Sequence, residues 1–134
     1  MTQTPRLLAA VDMGSNSFRL MIGRVDETPT ASGPASQIFQ VDALREPVRL
    51  AAGLTPDKYL DQPARRRGIE ALRRFGDRLR DFSPDQVRAV ATNTLRVAKN
   101  ASEFLIEAEA ALGFPIEVIA GREEARLIYL GASH

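Results

Sequence analysis

Val11-Asp12-Met13-Gly14-Ser15-Asn16-Ser17-Phe18-Arg19 sets a carboxylate, a glycine and three small polar residues between two apolar segments. Upstream, Leu7-Leu8-Ala9-Ala10-Val11 is the continuous apolar run of a strand covered on both faces, and downstream Phe18, Leu20 and Ile22 alternate as one face of a second strand. The polar residues between them therefore form a hairpin turn. Gly14 lets a ligand approach the main chain, and Ser15, Asn16 and Ser17 carry hydroxyl and amide donors suited to phosphate oxygens. Asp12, at the strand's end, is placed to face a metal ion or a water molecule. An ordinary Asp-x-Gly-Ser turn uses the same residues, so the stretch alone leaves a plain turn and a phosphate cradle both open.

Composition narrows the classes. The 134 residues are 44% hydrophobic and 26% charged, the balance of a folded globule large enough for one domain or one lobe. A net charge of +1 argues against a dedicated nucleic-acid binder, which relies on an excess of Lys and Arg. Any polyanion must then be held locally. No cysteine is present, which excludes disulfides and thiolate metal sites and makes a reducing cytoplasm the expected compartment. The apolar runs fall well short of the ~20 residues that span a bilayer, and Met1 to Arg6 reads as a disordered tail without the features of a signal peptide.

Further along, Glu27 to Ser36 reads as a polar, turn-rich passage leading to a third strand at Gln37-Ile38-Phe39-Gln40-Val41, which completes an antiparallel meander. Arg45 to Gly53 is ambiguous, with Val48-Arg49-Leu50 a candidate strand end. From Asp61 the pattern turns helical: Asp61 is placed as N-cap, Pro63 in the first turn, and Ile69, Leu72, Phe75, Leu79 and Phe82 recur every three or four residues. Ser83-Pro84-Asp85 closes that helix, and Val87 to Thr92 follows as an apolar strand. Asn100 and Glu103 form a capping pattern for a helix that carries Phe104, Leu105, Ala108 and Leu112 on one face, with Gly113 and Pro115 as its stop. Ile116 to Ile119 reads as a short strand, and after Gly121 a last helix starts with Glu123 and Glu124. The expected order is three strands, then helix, strand, helix, strand, helix.

Several residues carry chemistry by position. Glu124 opens a helix that follows a strand, where α/β sheets gather ligands, although acidic residues in a first turn also stabilise the helix dipole. Arg96 lies just past a strand, and its planar fork can grip two phosphoryl oxygens where a lone arginine elsewhere would be a solvated surface group. Thr92, Asn93 and Thr94 surround the same turn with neutral donors. Arg19, after the first loop, reads equally as a second clamp or a surface residue. The run Arg65-Arg66-Arg67 with Arg73, Arg74, Arg78 and Arg80 reads as the solvated face of a helix, with attraction of long polyphosphate as the weaker alternative. His134 is the single histidine and supplies neither a triad nor a metal cluster.

Three ordered blocks give these candidates a context: Ala9 to Arg19, Ala91-Thr92-Asn93-Thr94-Leu95-Arg96-Val97-Ala98-Lys99-Asn100, and Ile119-Ala120-Gly121-Arg122-Glu123-Glu124-Ala125-Arg126-Leu127. Through them the chain resembles the exopolyphosphatase/guanosine pentaphosphate phosphohydrolase family (Ppx/GppA), a bacterial-type family, from about residue 7 onward. The resemblance implies an α/β fold, a ribonuclease-H-like mixed sheet forming one lobe of the actin/Hsp70/sugar-kinase-like architecture. It implies release of terminal phosphate from polyphosphate or guanosine pentaphosphate by water attack. In that reading Glu124 is the base that orients the water and Arg96 faces the phosphate as the second catalytic residue. Asp12, Gly14, Ser15, Asn16, Ser17, Arg19, Thr92 and Asn93 bind phosphate, and Mg²⁺ enters at Asp12. Family members continue with a second glycine-rich loop, Asp-x-Gly-Gly-Gly-Ser-x-Glu, shortly after the position of Gly131 to His134. Residues 1–134 are accordingly expected to be an N-terminal lobe without its second, C-terminal lobe, with little turnover alone and a homodimer as a further partner to consider. The alternatives carried beside this reading are an ATP-binding kinase or ATPase lobe and a non-catalytic phosphate-binding fragment.

Overall fold

The computed structural model describes residues 6–91 and 94–119. The chain opens with the meander β1 (Arg6–Met13), β2 (Ser17–Thr30) and β3 (Gly33–Pro47), and continues through α1 (Gln62–Arg78), β4 (Val87–Ala91), α2 (Thr94–Val97), α3 (Ala101–Leu112) and β5 (Glu117–Val118). The five strands form one sheet in the order β3-β2-β1-β4-β5. The meander pairs antiparallel, whereas β4 lies parallel to β1 and β5 parallel to β4. This is the mixed α/β sheet expected of one ribonuclease-H-like lobe.

Alternation along the strands decides the core. Val11 and Met13 of β1 with Phe18 and Leu20 of β2 are sealed against Leu72 and Phe75 of α1 and Phe104 of α3. Ala10 and Asp12 alternate to the other face of the sheet. Helix α1 starts as read from the sequence, since the Asp61 carboxylate accepts the Ala64 N–H at 2.9 Å. Helix α3 ends at Gly113, whose φ of 88° lies in the left-handed region that a residue with Cβ resists. Asn100 departs from its expected role: its side chain makes no cap bond and instead pairs with both backbone groups of Leu60, at 2.9 and 3.1 Å, tying the α1 approach to α3.

Three further expectations are corrected. The passage Glu27 to Ser36 is mostly strand, for β2 and β3 pair as far as Thr30 opposite Gly33 and leave only Ala31 and Ser32 between them. The ladder shifts register between Ile22 and Gly23, so Val41 has no partner and is 56% exposed. Val48 and Leu50 are no strand end but plugs, exposed by 1% and 0%. Arg6, assigned to the tail, opens β1 opposite Val25.

The basic face of α1 is only partly solvated. Arg67 donates to the Val48 carbonyl at 2.7 Å and to that of Arg49 at 3.3 Å. Arg74 grips both oxygens of Glu46, at 2.8 and 3.2 Å, and Arg78 pairs with Asp42. These three bind α1 to β3 and to the segment after it. Arg66 and Arg73 remain exposed, as the sequence reading has them.

Candidate functional site

The carboxyl ends of three parallel strands meet at one edge of the sheet. Met13 of β1 lies beside Ala91 of β4, and Ala91 beside Val118 of β5. The Ile119 N–H donates to the Ala91 carbonyl at 2.9 Å, so the chain leaving β5 passes the end of β4. Edges of this kind are where α/β sheets collect ligands. The turn Gly14-Ser15-Asn16 closes the β1–β2 hairpin at the same edge.

That turn is fixed from three sides. Within it, the Gly14 N–H donates to the Ser17 carbonyl at 3.1 Å, and a Cβ at Gly14 would stand 3.0 Å from that oxygen. From below, the Val48 and Arg49 N–H groups both donate to the Asn16 carbonyl, at 3.0 and 2.8 Å, and the Ala51 N–H donates to the Ser15 carbonyl at 2.9 Å. Arg49 holds a φ of 52°, unusual for a residue with a side chain, and Arg67 secures its carbonyl and that of Val48. The carbonyls of Ser15 and Asn16 are engaged inward, and the Ser15 and Ser17 hydroxyls accept from Thr94 and Arg45, which leaves their protons for a ligand. From the side, the Thr94 hydroxyl lies 2.8 Å from the Ser15 hydroxyl. Thr94 is 5% exposed and heads α2, so this bond joins the hairpin tip to the helix that carries Arg96 two residues on.

Asp12 is half-buried on the sheet face away from α1 and α3, directly opposite Arg19. Burial pushes its carboxyl above the ordinary aspartate range, and the Arg19 guanidinium offsets this only in part. Arg19 in turn lies opposite Arg45 of β3, and the Arg45 Nε donates to the Ser17 hydroxyl at 3.3 Å. Arg96 is exposed and makes no ion pair among the described residues.

The structure thus brings Asp12, Gly14, Ser15, Asn16, Ser17, Arg19 and the α2 segment of Arg96 to one end of the sheet. Thr92, Asn93 and Glu124 lie outside the described residues, as does the helix expected after Gly121. Two contributors escaped the sequence reading, and a third, Thr94, was named there without being singled out. The amides of Val48, Arg49 and Ala51 were foreshadowed only by the apolar pair Val48 and Leu50. Thr94 was one of three neutral donors with nothing to single it out. Arg45 had no signal at all, because its place beside Arg19 follows from strand register.

No group of three His, Cys, Asp or Glu side chains among the described residues could hold a metal alone. Mg²⁺ needs less, since it keeps several waters and takes one or two carboxylates together with substrate phosphates. A half-buried carboxylate that its neighbours leave incompletely neutralised fits that donor set. No helix among the described residues is long and apolar enough to cross a membrane.

Comparison with known proteins gives this edge a setting. The model of the Ppx/GppA phosphatase family matches residues 31–134. A solved family member from Aquifex aeolicus is 27% identical, with a TM-score of 0.78 over 96% of this chain and 39% of its own. An exopolyphosphatase-like protein is 33% identical over 93% of this chain and 36% of its own, with a TM-score of 0.75. An exopolyphosphatase from Cytophaga hutchinsonii shares the fold at 24% identity and a TM-score of 0.72, with 94% of this chain and 38% of its own covered. The chain therefore spans less than two fifths of the length of these structures.

Proposed function

Since this chain belongs to the Ppx/GppA phosphatase family, we propose that it is a phosphate-holding lobe of a phosphoanhydride hydrolase, an enzyme that releases the terminal phosphate of polyphosphate or guanosine pentaphosphate by water attack. The carrying observation is the 2.8 Å bond between Thr94 and Ser15, which joins the hairpin tip to the arginine-bearing helix at the carboxyl ends of β1 and β4.

Phosphoryl transfer asks little covalent chemistry of a protein; positioning and charge stabilisation do the catalytic work. In this reading Ser15, Ser17 and Asn16 donate to the oxygens of the terminal phosphoryl group, with Thr92 and Asn93 as further donors. Arg96 sets a delocalised positive charge against the phosphoryl group as negative charge develops on it. Glu124 accepts a proton from the attacking water and aims its lone pair at phosphorus. Asp12 would hold Mg²⁺, which when bound neutralises phosphate charge. The leaving group is a shortened phosphate chain. The 134 residues, matched to less than two fifths of their solved relatives, would turn over little by themselves. Cytoplasm is the compartment in keeping with a chain that uses no cysteine.

Calorimetric titration with tripolyphosphate, guanosine pentaphosphate and ATP, each with Mg²⁺, tests the reading. Binding of tripolyphosphate or guanosine pentaphosphate, lost in Ser15→Ala, is expected. Binding of ATP alone would favour a kinase or ATPase lobe instead, and silence with all three would remove the phosphate site.

A further inference from the structure

The outer surface of α1 and α3 carries charge that the rest of the fold leaves unused. The two helices run side by side in the same direction and pack closely through glycine. A Cβ at Gly68 would stand 2.9 Å from the Phe104 ring, and one at Gly76 2.8 Å from the Leu112 carbonyl. Gly68 is therefore level with Phe104 and Gly76 with Leu112, a constant offset along both helices. Beside this contact opens a groove of about 400 Å³, lined by half-buried Ile69 and by Arg65, Arg66, Arg73 and Glu107. Arg65 donates to Glu107 across it, at 3.3 Å. Glu70 of α1 also lines the groove and has Arg74 as its neighbour. Arg66 and Arg73 of α1 and Glu103 of α3 are exposed, and none of them makes an ion pair among the described residues. Ile106, on the outer side of α3, is 71% exposed, more than any other large hydrophobic residue described.

We propose that this face binds a second copy of the chain, with α1 of each copy lying over α3 of the other. A twofold axis parallel to both helices, running along the groove, exchanges the helices and preserves their levels. An isologous contact uses one patch twice, so each pairing it makes occurs twice. At 1.5 Å of rise per residue, the offset puts Arg66 within about 2 Å of the level of Glu103, Ile69 within about 2 Å of Ile106, and Arg73 within about 3 Å of Glu107. Long side chains span such differences. The exposed isoleucine of one copy then enters the groove of the other at Ile69, and the charges close around it. Charge complementarity selects this occupant. An acidic peptide satisfies the arginines but meets Glu103 and Glu107 beside them, and a basic one meets Arg66 and Arg73. A surface with both signs in the same order matches both helices, and the chain itself carries one. The contact is small: two helices each about 10 Å wide, over the roughly 18 Å length of α3, give about 400 Å² on each copy, the scale of a transient interface. A dissociation constant on the order of 100 µM is expected. The phosphate site stays uncovered, since Asp12 lies on the other face of the sheet.

Sedimentation equilibrium from about 10 µM to about 1 mM, on either side of the expected constant, tests the contact. Wild type is expected to dimerise reversibly and to lose most of that association in about 0.5 M NaCl, where exposed charges are screened. Two charge reversals separate the helices: Arg66→Glu with Arg73→Glu makes both outer faces acidic, and Glu103→Arg with Glu107→Arg makes both basic. Each should be monomeric alone, and an equimolar mixture should associate at least as tightly as wild type, because every pairing is complementary again. Ile106→Ser, a change at an exposed site that leaves the fold undisturbed, should weaken association at least tenfold, since each dimer buries that side chain twice. It reads the same contact should a reversal variant fail to fold, which melting curves report. A monomeric wild type, reversal variants that dimerise like wild type, a mixture no more associated than its parts, or Ile106→Ser associating like wild type would each overturn the dimer. Binding of a polyglutamate peptide by a monomeric wild type, lost in the arginine reversal, would overturn it in favour of an acidic partner.

Discussion

The meander of β1, β2 and β3 reverses twice, and its two turns are built on different principles. In the first, Gly14-Ser15-Asn16, the carbonyls of Ser15 and Asn16 accept from Val48, Arg49 and Ala51, and the Ser15 hydroxyl oxygen accepts from Thr94. The second, Ala31-Ser32, is exposed and lies beyond Val25, the residue opposite which β1 begins. One turn is clamped by segments that lie tens of residues away in sequence; the other closes a ribbon by its own ladder. The contrast separates a loop held to a fixed geometry from a loop that only reverses the chain. Pre-organised donors bind and stabilise charge without reorganising, and the contacts around the first turn fix its geometry in advance.

The largest expected difference between the turns comes from altering each one's backbone. Gly14→Val forces side-chain atoms into a position where even a Cβ meets the Ser17 carbonyl at 3.0 Å. Overpacking of this kind costs about 2 kcal/mol, and the displaced hydroxyls should abolish tripolyphosphate binding. Two glycines inserted between Ala31 and Ser32 should cost about 1 kcal/mol or less, because loop closure grows slowly with length, and should leave binding unchanged. Urea midpoints and titrations on both variants check this; comparable losses from the two changes would erase the distinction.

How far the contrast was legible in the sequence depends on which forces write it there. Strand β1, the Asp61 cap and the Gly113 stop were readable because each expresses a local rule: an apolar run, a side-chain cap, a left-handed backbone position. The ribbon from Asp26 to Gln37 was not, since strands that only pair with each other need no apolar alternation and this one carries Thr, Pro, Ser and Gly. The first turn was legible as a motif but not as a clamped structure. Its partners Val48, Arg49 and Thr94 are 32 or more positions away, and Arg67, which secures two of them, looked like surface charge. Asn100 shows the same limit: its spacing to Glu103 satisfies a local capping rule, yet a distant backbone at Leu60 holds its side chain.

A second prediction moves from the turn to the helix beside it. Arg96→Ala should reduce tripolyphosphate affinity about tenfold or more, the scale of a charge-assisted contact, while stability stays within about 0.5 kcal/mol because the side chain is exposed and unpaired among the described residues. A titration with a parallel melt checks both parts, and an unchanged affinity would take the arginine out of the site.

Thr94→Val tests the lateral clamp with a smaller effect. Valine keeps the shape and loses the bond to Ser15, so a net cost near 1 kcal/mol at most is expected, in either stability or affinity. Thr94→Ser should restore what valine removes. If valine changes neither melting nor affinity, the first turn is held from within and below, and the link to α2 is incidental.

The smallest expected effect is opposite in sign. Burial raises the Asp12 carboxyl above its unfolded value, so the native state binds this proton more tightly than the unfolded chain. Ionising Asp12 therefore costs folding free energy; the cost is absent below the unfolded aspartate range and fully present above the raised native value. Asp12→Asn should be more stable than wild type at neutral pH, by less than about 1 kcal/mol because the group is only half-buried and Arg19 screens it. The gain should fade as pH drops through the native pKa. Melting curves from pH 3 to pH 8 follow that course, and added Mg²⁺ should raise the midpoint of wild type but not of Asp12→Asn. No comparable gain is open to the second turn, whose residues Ala31 and Ser32 carry no charge. A wild type that outlasts Asp12→Asn at pH 8 without Mg²⁺ would mean that the carboxylate is a structural partner of Arg19, and that the clamped turn carries no stored electrostatic cost for a cation to relieve.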